Sequence, residues 1–368
     1  FDRAASHLPL SSVVVQHQTA FQPSILAQYI EYILQLSYAE LCWYILIYPT
    51  FICRTMFLRS IWLILYWYMR PVLKWFLRKT TKLCELQRIC YGERPGAPRI
   101  LGVEKSLQLS RNKSIKDLID HLDMMASNCQ INEHNRKDIV ACATCVILRV
   151  KRINHHVHSH FGPAFEKCVE QIWGYRQLYH EVESIRITQY DSNSLDHEVK
   201  LIELWSLLMP HEPLKGRVTK QWQDIGFQGD DPKTDFRGMG MLGLENLLYF
   251  AREYPGPSSH VLSHSHHPKY GYTFAIVGIN LTSMAYHLLK DGSAKTYVYN
   301  ISRSLPTMKV FHQLYCYLFY EFDRFWIESK PQNMMEFSCI QERFEKSIRT
   351  GLADKTSVFK MNIEVDNV

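Results

Sequence analysis

No stretch of this 368-residue sequence alternates apolar and polar residues as a half-buried strand does, and no segment repeats. The first absence removes sheet architectures and leaves an all-α fold as the expectation. A Gly-x-x-x-x-Gly-Lys-[Ser/Thr] loop is missing, so the chain is not expected to hold a nucleotide by that means. Gly-x-Ser-x-Gly and His-Glu-x-x-His are missing too, which excludes the hydrolase elbow and the helical zinc-peptidase pair. Charge of one sign is scarce. Lys and Arg total 42 against 36 Asp and Glu, a net charge of +6 with only short basic clusters. A nucleic-acid binder would concentrate its cations on one face, so no nucleic-acid partner is expected. Long uncharged runs are also short of what a bilayer needs: residues 41–53 ("LCWYILIYPTFIC") and 61–69 ("IWLILYWYM") fall below the roughly 18 to 20 residues of a clean span.

What is present suits a folded chain: 46% hydrophobic and 21% charged residues. Ten cysteines at irregular spacings read as reduced thiols of a cytoplasmic protein, several of them small core residues. The chain opens on Phe1 rather than Met, so its first residues carry little of the reading. Residues 1–25 are expected to form a loose tail. Residues 26–90 are apolar and aromatic, and "KWFLRKTTK" (74–82) adds cations beside Trp75. That pattern suits either a membrane interface or a buried helical hairpin. No small-residue cleavage site follows the apolar run, so a cleaved leader is not expected. Two prolines and the glycines of "YGERPGAPRILGVEK" mark residues 91–105 as a linker.

Beyond it the periodicity is helical, through residues 106–189 and again through 190–350, with a tail at 351–368. Leu107, Ile115, Leu118, Ile119 and Leu122 suit a short amphipathic helix, and residues 163–185 a longer one. Ser192 or Ser194 can cap "LDHEVKLIELWSLLM", which Pro210 ends. "YTFAIVGINLTSMAYHLLK" (272–290) is apolar on nearly every side and fits a buried central helix. Met308, Phe311, Tyr315, Leu318, Phe322 and Phe325 step by threes and fours, and a last helix is expected at about 333–350.

Three local patterns bear on chemistry. Gly238, Gly240 and Gly243 match Gly-x-Gly-x-x-Gly, but "KTDFR" before them is no strand, so a dinucleotide is not expected. Cys142 and Cys145 precede His155, His156, His158 and His160 at an interval unlike a zinc finger's. They are taken as core cysteines on a helix followed by a solvated loop. His260, His264, His266 and His267, in a Ser- and Pro-rich stretch, are taken as loop surface. No metal ligands are therefore expected. The third pattern is Arg237, flanked by Asp230, Asp231 and Asp235, with Pro232 fixing the turn. Either the acids hold it in a structural ion pair, or the turn presents it to an anion such as phosphate. Thr234 or Asp235 would cap the helix that follows.

"WQDIGFQGDDPKTDFRGMGMLGLENLLYF" (222–250) resembles the signature of the ELMO domain, and the likeness runs from about residue 70 to 350. Its matching positions include Trp222, Gly226, Phe227, Gln228, Pro232, Thr234, Asp235, Phe236, Arg237, Gly238 and Gly240. The resemblance implies a compact multi-helix ELMO domain at 190–350. It also implies a GTPase-activating protein for GTP-bound Arf and Arf-like GTPases, with Arg237 as the catalytic arginine. Trp222, Ile225 and Phe227 would anchor the motif, Asp235 would orient it, and Gly238 and Gly240 would clear room for the partner. No cofactor of its own is expected, since Mg²⁺ and GTP belong to the partner. The alternative is a non-catalytic scaffold in small-GTPase signalling. A membrane surface on intracellular membranes is the remaining expected partner.

Overall fold

A computed structural model describes residues 68–361. Residues 1–67, with the tail and most of the apolar segment, lie outside the described residues, as do residues 362–368. The chain divides into two units, residues 1–76 and 77–368, and a helical stretch at 68–81 crosses the division. Among its described residues the second unit holds twelve numbered α-helices: α1 (Glu85–Gly92), α2 (Ala97–Gln108), α3 (Lys113–Ser127), α4 (Arg136–Lys151), α5 (Phe161–Ile187) and α6 (Leu195–Leu208) come first. After two 3₁₀ turns, Lys220–Ile225 and Pro232–Arg237, follow α7 (Gly240–Glu253), α8 (Pro255–Ser265), α9 (Phe274–Lys290), α10 (Lys295–Ile301), α11 (Met308–Ser329) and α12 (Phe337–Ala353). Among the described residues there is no strand, so the all-α expectation holds.

Long periodic segments became helices where the spacing placed them. Helix α9, expected to be central, buries Phe274, Val277, Leu281, Met284 and Leu288 and packs between α7 and α11. Helix α5, 27 residues long, supports α1 to α4 on one side and α7 on another. Ser194 occupies the N-cap of α6, although its side chain makes no capping bond.

Residues 91–105 are not a linker. Gly96 turns the chain, and α2 starts at Ala97 with Pro98 in its first turn, where a missing N–H costs nothing. Ala97, Ile100, Val103 and Leu107 are buried. Leu107 therefore belongs to the end of α2 while Ile115 to Leu122 belong to α3, two helices where the spacing suggested one. Buried Glu104 accepts from Lys295 Nζ at 2.7 Å and lies 3.8 Å from Arg176, tying α2 to α10 and α5. Asn300 accepts from the Ala97 N–H and donates to the carbonyls of Lys355 and Ser357. The start of the C-terminal tail is thus bound to the body, with Phe359 stacked on Tyr317 at 4.8 Å. Proline and glycine counts alone misplace these segments because their punctuation serves tight turns between packed helices.

Burial holds one histidine neutral. His312 Nδ1 pairs with Asn246 Oδ1 at 2.7 Å, its ring stacks on Tyr249 at 4.6 Å, and burial pushes its pKa down to about 4. As pH falls, the unfolded chain takes up this proton first, at about 6.5. His312 thus contributes fully above pH 6.5, and that contribution is lost between 6.5 and 4. Urea unfolding at pH 7.5 and pH 4.5 should show about 3 kcal/mol more acid loss in the native protein than in His312→Gln. Parallel pH profiles would contradict the assignment.

Candidate functional site

The segment from Trp222 to Gly240 is built on a chain of aromatic rings. Trp222 meets Trp205 edge-on at 5.5 Å and Phe227 at 5.8 Å; Phe227 meets Phe236 at 5.6 Å, and Phe236 stacks on Tyr190 at 5.6 Å. Trp222, Ile225 and Phe236 are wholly buried and Phe227 nearly so. The polar edges of the indoles are satisfied: Trp222 Nε1 donates to the Arg217 carbonyl and Trp205 Nε1 to that of Glu212. Gly226 closes the first 3₁₀ turn at φ +85°, where its missing side chain lets the backbone lie against the start of α9. A Cβ there would stand 2.3 Å from the Phe274 nitrogen.

The second turn begins with Pro232, buried, behind Asp231, whose side chain accepts from the Lys233 N–H. Asp231 also accepts from Arg217 Nη1 at 2.9 Å, while Arg217 Nε donates to Glu198 at 2.6 Å and the guanidinium lies over the Tyr190 ring. Partial burial opposes ionisation of Asp231, yet the Lys233 N–H and the Arg217 charge hold its carboxyl below the usual range. Asp230 accepts from Gln223 Nε2. Asp235 accepts from the backbone N–H of Gln228 at 2.9 Å, stapling the two turns together. Burial pushes the Asp235 carboxyl up, against the pull of that N–H and of the Arg237 charge.

The acids around Arg237 are therefore engaged elsewhere. Arg217, which motif reading passed over, takes the partner that Arg237 was expected to have. Arg237 is exposed, and its Nε donates to the Thr234 carbonyl at 2.9 Å. Among the described residues it has no ion pair, and its two terminal nitrogens have no hydrogen-bond partner. Gln228, Thr234 and Gly238 are exposed beside it in sequence, while Asp235 is half-buried.

Two further expectations need correction. Neither Thr234 nor Asp235 caps α7. Its first turn is instead satisfied from outside, the Met241 N–H donating to the Thr188 carbonyl at 2.8 Å. Gly240 does not clear room for a partner either. At φ +52°, a Cβ on it would stand 2.3 Å from the Arg186 carbonyl oxygen and 2.4 Å from that of Thr188. Gly238 does face open space. On α6, Leu195, Val199 and Ile202 recur at helical steps and are exposed, as is Val218 next to Arg217.

Cys142 and Cys145 lie on α4 as expected but are exposed, because Ala143, Thr144 and Ile147 form its packed face. His155, His156 and His158 follow in a turn, and His160 precedes α5. His260 and His264 are not in a loop: Pro255 starts α8, which carries both. The eight described cysteines are free thiols, four of them buried.

Gly240→Ala should cost about 3 kcal/mol or more, from positive φ and the carbonyl clash together, and Gly226→Ala a similar amount. Gly238→Ala should stay within about 0.5 kcal/mol of the native protein. Thermal unfolding of the three variants checks the contrast; equal losses would mean the turn is held otherwise.

Residues 180–341 match the ELMO/CED-12 family. The chain is 48% identical over 282 residues to ELMO domain-containing protein 2 of Bos taurus, covering 77% of this chain and 91% of that protein. It is 44% identical over 293 residues to ELMO domain-containing protein 1 of Mus musculus, covering 75% and 86%. ELMO domain-containing protein B of Dictyostelium discoideum is 32% identical over 283 residues, covering 75% and 93%.

Proposed function

This chain belongs to the ELMO/CED-12 family, and on that premise we propose that it activates GTP hydrolysis by Arf-family GTPases, chiefly Arf-like ones, with Arg237 as the arginine supplied in trans. The observation that carries this reading is the state of Arg237: exposed, tethered through Nε, with both terminal nitrogens directed to no partner among the described residues. In GTP hydrolysis, negative charge spreads over the phosphoryl oxygens in the transition state. A guanidinium brought to them from a second protein accelerates the reaction by roughly 10³ to 10⁵. Its planar fork offers two parallel donors, and it stays protonated throughout the useful pH range.

The turn supports that task. Docking an arginine into another protein's site loses less free energy when its backbone is already ordered. Here the backbone is pinned by buried Phe236 below, by the bond from Gln228 to Asp235 across, and by Gly240 against the end of α5. Open space at Gly238 leaves the approach to Arg237 clear. GTP and Mg²⁺ enter with the partner, and this chain supplies neither. The exposed apolar side chains of α6 and Val218 offer surface for a protein partner. A non-catalytic scaffold would use such surface as well, but would have no need of an arginine kept out of ion pairs.

Single-turnover hydrolysis by a panel of GTP-loaded Arf and Arf-like proteins, with and without this chain, tests the reading. Arg237→Lys keeps the charge and loses the fork. Stimulated hydrolysis should fall by about two orders of magnitude or more, with circular dichroism and melting temperature unchanged. Full stimulation by a well-folded Arg237→Ala protein would overturn the role.

We further propose that the protein works at a membrane surface, held through its N-terminal unit. On the helical stretch 68–81, Tyr68, Met69, Val72, Trp75 and Phe76 are exposed, with Arg78 and Lys79 beside them. Among the described residues no helix is long and apolar enough to cross a membrane, and the attachment we propose is peripheral. Deleting residues 1–76, at the boundary between the two units, should move the protein out of the floating fraction in liposome flotation. Unchanged flotation would place the attachment elsewhere.

A further inference from the structure

Away from the arginine, α8 and α11 bring together three side chains that the sequence separates. His260 and His264 stand one turn apart on α8, their ring centroids 4.0 Å apart. Asp323 comes from α11, which packs against α8, and its side chain is only 3% exposed. One ligand atom from each residue can be chosen so that all three lie within 4.8 Å of one another. Among the described residues this is the one group of three or more such side chains.

The surroundings are arranged as a ligand set requires. Asp323 Oδ1 accepts from the Tyr272 hydroxyl at 2.6 Å, and Oδ2 meets His264 Nδ1 at 2.7 Å. Tyr272 is itself buried, so it fixes the carboxylate's rotation rather than competing through solvent. A buried carboxylate is expensive unless its charge is compensated, and among the described residues no Lys or Arg forms an ion pair with it. His260 is exposed and has no hydrogen bond to other described residues; its neighbours are the His264 and Tyr320 rings. Two imidazoles on one helical face with a carboxylate from the next helix make a borderline-soft, nitrogen-rich donor set. That set suits Zn²⁺ over Mg²⁺ or Ca²⁺, which prefer oxygen.

We propose that His260, His264 and Asp323 bind one Zn²⁺ ion, which ties α8 to α11 and neutralises the buried carboxylate. With the metal on His264 Nδ1 the neutral ring carries its proton on Nε2 instead, and the 2.7 Å contact with Asp323 opens by about half an ångström to accept metal bonds of about 2 Å. The exposed side of His260 leaves the fourth tetrahedral position to water. This replaces the sequence expectation that His260 and His264 are loop surface and that no metal ligands are present. The proposal is independent of the role of Arg237.

The test uses the full chain carrying Cys142→Ser and Cys145→Ser, so that these exposed thiols contribute no ligand. Calorimetric titration with Zn²⁺ should give one equivalent, and Co²⁺ should give the visible absorption of a tetrahedral site. Loss of an outer-shell partner costs about 10- to 100-fold in metal affinity, so Tyr272→Phe should weaken binding by about tenfold. His260→Ala removes a ligand and should weaken it by more than about 100-fold while the metal-free protein melts as before. Asp323→Asn should also abolish the Co²⁺ absorption, but His260→Ala is decisive because an exposed side chain is dispensable to the fold. Absence of the tetrahedral absorption, or unweakened Zn²⁺ binding by His260→Ala, would overturn the proposal.

Discussion

Helix α7 can start only where α5 ends, because the carbonyls of Arg186 and Thr188 press against the backbone of Gly240. Carbonyls freed at the end of one helix meet N–H groups freed at the start of another, and the Met241 to Thr188 bond is the direct expression of that match. No side chain fits between them. Arg237 lies three residues before this contact and one after buried Phe236, so the turn that carries it is clamped on both sides. The long helix α5 thereby sets the position of a side chain with which it makes no bond.

Charge is divided between two arginines of unlike fate. Arg217 is half-covered, paired to Glu198 and Asp231 and lying over Tyr190, and it joins α6 to the second turn. Breaking one partner from such a group would leave a poorly solvated charge behind, so the network is costly to disturb. Its use of Asp231, with Asp235 bonded to the Gln228 N–H, engages two of the local carboxylates that could otherwise pair with Arg237. The electrostatics that hold the turn together are the same ones that keep its exposed arginine available.

Much of this was legible in the sequence because helical packing imposes a period. Residues 272–290 and the stripe from Met308 to Phe325 could hardly be anything but buried helices, and the motif from Trp222 to Phe250 marked its own anchors. Pairing was not legible. Nothing in one sequence says that Arg217 rather than Arg237 holds Asp231, or that the start of α7 is satisfied by the distant Thr188 carbonyl rather than by its neighbour Asp235. The same gap hid Asp323 from His260 and His264, 59 residues away from the nearer one. Punctuation misled in the opposite direction: the prolines of 91–105 and 255–257 open helices α2 and α8 instead of marking a linker and a loop.

Arg237 lies outside the core that its turn depends on, and among the described residues its side chain is joined to the fold through a single nitrogen. Folding and reactivity can therefore change separately under mutation. One codon change at this position would leave the aromatic chain, the Arg217 network and the α5–α7 junction intact. A gene duplicate could lose the arginine and keep the fold, with no unstable intermediate on the way.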